Sequence, residues 1–113
     1  MIEKRKHIRV TIKSIAEVIL PEGDFDQAYV GGISRGGLEM YTGKEMKRET
    51  PVKITLHFLL EGQEVTEAVQ GAVKWSASFK NAFVSGIEFS SVLSAEANPN
   101  LVRCIEQAEL FYK

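Results

Sequence analysis

Val52-Lys53-Ile54-Thr55-Leu56-His57-Phe58-Leu59-Leu60 decides the fold of this chain. Val52, Ile54, Leu56, Phe58 and Leu60 are apolar at every second position, the period of a strand with one face buried. Glu61-Gly62-Gln63 follows, a connection of hairpin length that contains glycine. The run from Val65 to Trp75 then reads as a second long strand, with Val65, Val69, Val73 and Trp75 on one face. Two long strands joined so tightly must run antiparallel.

The same period extends outward in both directions. Ser76 to Asn81 reads as a reversal, and Ala82 to Phe89 as a strand with Phe83, Ile87 and Phe89 alternating. Upstream, Gly43 to Thr50 is a polar connection ending at Pro51, and Leu38 to Thr42 is a short strand before it. Gln27 to Val30 is another, running into a glycine-rich turn. Val10 to Leu20 alternates too, with Val10, Ile12, Ala16, Val18 and Leu20 on one face and Ser14 as the exception. Pro21-Glu22-Gly23-Asp24 separates it from the next strand. Only the last segment changes period: Asn98 reads as an N-cap, Pro99 as the first helical residue, and Leu101, Ile105, Ala108 and Tyr112 recur at helical spacing. The expected fold is therefore mainly β: a six-stranded antiparallel barrel or curved sheet, with one C-terminal α-helix covering an opening. Residues 10–113 form that domain, and residues 1–9, without either period, form a separate N-terminal segment.

Composition narrows the function. With 113 residues, 44% hydrophobic and 26% charged, the chain belongs with soluble globular domains that hold a single core. A net charge of −1 argues against holding a long nucleic acid by general electrostatics. A single cysteine, Cys104, excludes an internal disulfide and fits a reducing compartment. There is no apolar run of membrane-spanning length and no apolar stretch behind the charged N-terminus, so a cytoplasmic protein is expected.

Catalysis has little to work with. His7 and His57 are far apart in sequence, and Cys104 lies beside the apolar stripe of the helix. Neither a Cys-x-x-Cys pair, a His-Glu-x-x-His helix nor a Gly-x-x-x-x-Gly-Lys loop occurs. No enzyme, cofactor or metal is expected. Trp75 falls on the apolar alternation and is assigned to the core.

Recognition chemistry remains, in two stretches: Arg5-Lys6-His7-Ile8-Arg9 and Gly32-Ile33-Ser34-Arg35-Gly36-Gly37. Arg5 and Arg9 each carry a planar donor fork that matches phosphate or a guanine edge, and each can stack on a base. Ser34 adds a hydroxyl. Gly36 and Gly37 expose backbone N–H groups and admit a flat ligand where a Cβ would intrude. Together they suit a small purine-containing molecule that bears phosphate.

On these motifs the whole chain resembles the PilZ family, bacterial receptor modules for cyclic di-GMP. That family shows Arg-x-x-x-Arg before the first strand and Asp/Asn-x-Ser-x-x-Gly at a later turn. Arg5 and Arg9 match the first motif, and Ser34 and Gly37 match the second, with Gly32 at its acidic or amide position. Val73-Lys74-Trp75 and Gly86-Ile87-Glu88-Phe89 resemble the family's late strands. The resemblance implies a six-stranded barrel in which Arg5 and Arg9 grip phosphates and guanine edges as the N-terminal segment folds over the ligand. It implies that Ser34 contacts phosphate or ribose and that Gly37 leaves room for the base. In family members that take the ligand as a stacked pair, the residue before the first arginine, here Lys4, contributes charge. It also implies a protein partner in motility, secretion or polysaccharide synthesis. Gly32 cannot accept a hydrogen bond through a side chain, and a lost bond to a buried donor costs on the order of 1–3 kcal/mol. A second reading therefore stands beside the first: a PilZ-like protein–protein adaptor that no longer binds cyclic di-GMP.

Overall fold

Alternation along the chain becomes alternation of exposure in the structure, a computed structural model that describes residues 9–12, 14–23 and 25–110. Six strands form: β1 (Ser14–Ile19), β2 (Phe25–Ile33), β3 (Gly37–Thr42), β4 (Pro51–Leu60), β5 (Gln63–Phe79) and β6 (Ala82–Phe89). They close into an antiparallel barrel in the order β1-β2-β3-β6-β5-β4. One helix, α1 (Pro99–Glu109), follows. The expected barrel with a C-terminal helix is what the chain adopts.

The longest ladder is the one read first. β4 pairs with β5 from Pro51↔Ala72 to Leu60↔Gln63. Glu61 and Gly62 close it with φ of 53° and 82°, the positive values a tight hairpin turn needs to match the twist of its strands. Ala16, Val18, Ile33, Leu38, Met40, Ile54, Leu56, Val73 and Ile87 point inward and are almost wholly buried. Leu101, Val102 and Ile105 join the same core from α1, so the helix closes the barrel and does not float beside it. Tyr112, expected on that stripe, lies outside the described residues.

The structure corrects four local expectations. The first strand begins at Ser14, not Val10; Val10 is buried but forms an isolated bridge to Ile33. β2 does not stop at Val30 but runs through Gly31 and Gly32 to Ile33, with a register irregularity between Val30 and Gly32. β5 continues past Trp75 to Phe79, and a second irregularity falls between Val73 and Trp75. Each irregularity is a bulge: one extra residue, Gly31 or Lys74, shifts which side chains face inward.

The fourth correction concerns the helix start. Pro99 stands at its beginning as expected, but Asn98 makes no side-chain cap. Its amide donates instead to the Ala68 carbonyl at 3.2 Å. The cap comes from β5: the Glu67 carboxylate accepts the N–H groups of Asn100 at 2.7 Å and Leu101 at 2.9 Å. A carboxylate there satisfies orphan donors and also faces the positive end of the helix dipole.

Candidate ligand-binding site

Val10 brings the N-terminal arginine motif to the glycine turn. Its N–H donates to the Ile33 carbonyl and its carbonyl accepts the Ile33 N–H, both at 2.8 Å. This pairing puts Arg9 beside Gly32. Because Ile33 is buried, Gly32 faces outward, and a Cβ there would lie 3.0 Å from Cδ and 3.2 Å from Cγ of Arg9. The aliphatic stem of Arg9 thus lies where a side chain at position 32 would begin. Its guanidinium Nη1 donates to the Glu39 carboxylate. Glu39 stands directly opposite Gly32 in the β2–β3 register.

The turn itself is self-bracing. Ser34 N–H donates to the Gly37 carbonyl at 2.8 Å. The Ser34 hydroxyl accepts the Gly36 N–H at 3.2 Å and leans on the Gly37 carbonyl at 3.4 Å. Two sequence expectations change here. The Gly36 N–H is occupied, and the buried Ser34 hydroxyl first holds the turn. Gly37 serves through close approach: a Cβ on it would come 2.1 Å from the Ile87 carbonyl oxygen. The end of β6 and the segment after it brace the same turn from behind, with Phe89 N–H on the Gly36 carbonyl at 2.9 Å and Leu93 N–H on that of Arg35 at 2.8 Å.

Arg35 ties the turn to α1. Its Nη1 donates to Glu109 Oε2 at 2.7 Å and its Nη2 to Glu109 Oε1 at 3.4 Å. That hydrogen bonding, ahead of the opposing effect of burial, holds the guanidinium above its ordinary pKa.

Trp75 is the largest departure from expectation. It is 42% exposed and sits on the outer face, not in the core. The bulge at Lys74 is the reason: Val73 pairs with Ile87 and points inward, but Trp75 pairs with Gly86 and points out. A Cβ on Gly86 would fall 2.1 Å from the indole Nε1, so the ring lies directly on this glycine. Arg9, Ser34, Gly36, Gly37, Lys74, Trp75, Gly86 and Glu88 together surround an open groove of about 460 Å³. That volume is in the range that takes a small organic ligand. Its walls offer a guanidinium and an indole.

Both cations of the described groove are paired with carboxylates. Arg9 pairs with Glu39, and Lys74 lies 3.3 Å from Glu88 and 3.5 Å from Glu49. The hydrogen bond that Lys74 donates to Glu88 is the main cause of its raised pKa, so the amine stays charged. Lys4 and Arg5 of the predicted site lie outside the described residues. Of the remaining candidates, Arg9, Ser34, Gly36 and Gly37 line one groove, and Gly32 underlies the Arg9 stem. Sequence reading missed Glu39, Trp75, Gly86 and Arg35. The glycine before Ile87 was visible, but its pairing with Trp75 depends on the bulge.

Comparison with known proteins agrees with this fold. The family model of the PilZ domain matches residues 3–107. No curated protein matches the sequence. Among solved structures, the PilZ domain of YcgR from Escherichia coli with c-di-GMP superposes with a TM-score of 0.75 at 12% identity, over 97% of this chain and 95% of that one. The Bacillus subtilis inhibitor of motility, MotI/DgrA, gives 0.75 at 14% identity, over 94% of this chain and 52% of that one. The c-di-GMP complex of MrkH from K. pneumonia gives 0.63 at 14% identity, over 96% and 56%. This chain thus spans about half the length of the MotI and MrkH chains.

Proposed function

Because the chain belongs to the PilZ domain family, matched over residues 3–107, we propose that it is a bacterial cyclic di-GMP receptor without catalytic activity. The observation that carries the reading is the Val10–Ile33 bridge, which sets the second arginine of the motif beside the Ser34 turn on the rim of one groove. A guanine base stacks between the Arg9 guanidinium and the Trp75 ring, which Gly86 lets lie flat on the barrel. Arg9 grips phosphate. The described groove has no surplus of positive charge, so the cations needed for a doubly charged dinucleotide come from Lys4, Arg5 and Lys6. These neutralise the phosphates as the N-terminal segment orders over the ligand. The newly ordered surface then alters binding of a protein partner in the cytoplasm, in motility, secretion or polysaccharide synthesis. Among the described residues no helix is long and apolar enough to cross a membrane.

Trp75 is the only tryptophan of the chain, so its fluorescence reports on the groove. Titration with cyclic di-GMP, checked by calorimetry, gives a saturable change. Arg9→Ala weakens binding by roughly 10- to 100-fold, as loss of a charge-assisted hydrogen bond implies. Absence of saturable binding up to high micromolar ligand overturns the receptor reading. The adaptor reading is favoured by one specific observation, the Arg9–Glu39 ion pair over Gly32, which satisfies the arginine without any ligand. It predicts no fluorescence change and partner binding indifferent to the messenger.

A further inference from the structure

Four residues in register cross the outer face of the barrel: Gly32 on β2, Glu39 on β3, Gly86 on β6 and Trp75 on β5. The two glycines flank Glu39. Each lets a large side chain lie down, the Arg9 stem on Gly32 and the Trp75 indole on Gly86. Glu39 therefore stands between the two groups best suited to hold a base and a phosphate.

The contact it makes restricts Arg9. A guanidinium offers a carboxylate or phosphate two edges with paired donors: Nη1 with Nη2 at its end, and Nε with Nη2 along its side. On Arg9, Nη1 is engaged by Glu39, and Nε is buried without a hydrogen-bond partner. The end edge is taken and the side edge is shielded. Arg9 in this arrangement cannot grip a phosphate with two parallel hydrogen bonds.

We propose that Glu39 is a built-in counter-anion that competes with the ligand phosphate for Arg9 and thereby sets the affinity of the site. The proposal rests on the receptor reading above. Gly32 is part of the same device, because a side chain there would crowd the Arg9 stem that reaches across to Glu39. Ligand affinity is then governed by an acid at the facing position on β3, one that opposes binding by occupying Arg9.

Calorimetric titration of the full chain with cyclic di-GMP, wild type against Glu39→Gln, tests this. Glutamine keeps the shape and removes the charge. Affinity rises by about fivefold, the factor set by an ion pair of surface strength, and the gain shrinks as salt screens it. Glu88→Gln removes a carboxylate from the same groove that pairs with Lys74 and not with Arg9, and it gives a smaller gain. Thermal unfolding of both variants checks that the fold is kept. Equal or weaker binding by Glu39→Gln, or equal gains from both substitutions, overturns the proposal while leaving a binding wild type as a receptor. Binding by Glu39→Gln alone supports it, whereas binding by neither protein overturns it together with the receptor reading.

Discussion

Replacing Glu67 with alanine removes the cap of α1 without touching the helix. Its two carboxylate oxygens hold the Asn100 and Leu101 N–H groups at 2.7 and 2.9 Å, and α1 has no acidic residue in its first turn to take over. Loss of a helix cap costs about 1 kcal/mol and up to about 2. Loss of a negative charge at the positive end of the dipole adds about 0.3–1 kcal/mol. Glu67→Ala is thus expected to destabilise the domain by about 2 kcal/mol, which at about 4 °C per kcal/mol lowers Tm by about 8 °C in a domain of this size. Glu67→Gln keeps one acceptor oxygen and loses the charge, so it falls between the two. Urea unfolding followed by circular dichroism measures both, with the slope of the transition showing that two-state behaviour is retained. A Glu67→Ala midpoint shifted by less than about 0.5 kcal/mol, the range of an ordinary surface substitution, would refute the idea that the strand caps the helix.

Other outcomes follow from the same geometry. Gly37→Ala puts a methyl 2.1 Å from a backbone oxygen of β6 that cannot swing away, and overpacking of this kind costs about 1–3 kcal/mol; Gly43→Ala, in open space, stays within about 0.5 kcal/mol on the same urea curves. Arg35→Ala cuts the tie between the turn and the end of α1 and costs about 1 kcal/mol or less, since the pair with Glu109 is partly solvated; hydrogen exchange speeds up first in the last turn of the helix. Burial raises the Cys104 pKa, so the folded state holds that proton more tightly than the unfolded chain. The stability this confers is complete below the unfolded thiol pKa and is lost as pH rises through the folded value. Alkylation of the native thiol at alkaline pH is correspondingly slower than that of the unfolded protein.

Local alternation made β4, β6 and the helix readable, because each buries one face against a single core and its period survives in the sequence. It failed where one residue was added. At Val30-Gly31-Gly32 and Val73-Lys74-Trp75 the chain steps out of register, and a bulge leaves no mark in a pattern of apolar and polar letters. Trp75 was misassigned for that reason alone. The arginine and glycine-serine motifs were visible as residue types, and Val10 proved to be what joins Arg9 to the turn. Glu39, Glu67 and Arg35 act through partners distant in sequence, respectively Arg9, the start of α1 and its end. Nothing local distinguishes them from other surface charges.

Closure of the six strands has a consequence for whatever recognises this domain. The six strands close into a ring, so a visiting chain can add a strand of its own only at stretches paired on one side, such as β5 beyond its last β4 partner at Ala72. Elsewhere a partner has to read side chains instead. Its choice can therefore be rewritten by substitutions on the outside of the barrel while the ladder beneath stays as it is.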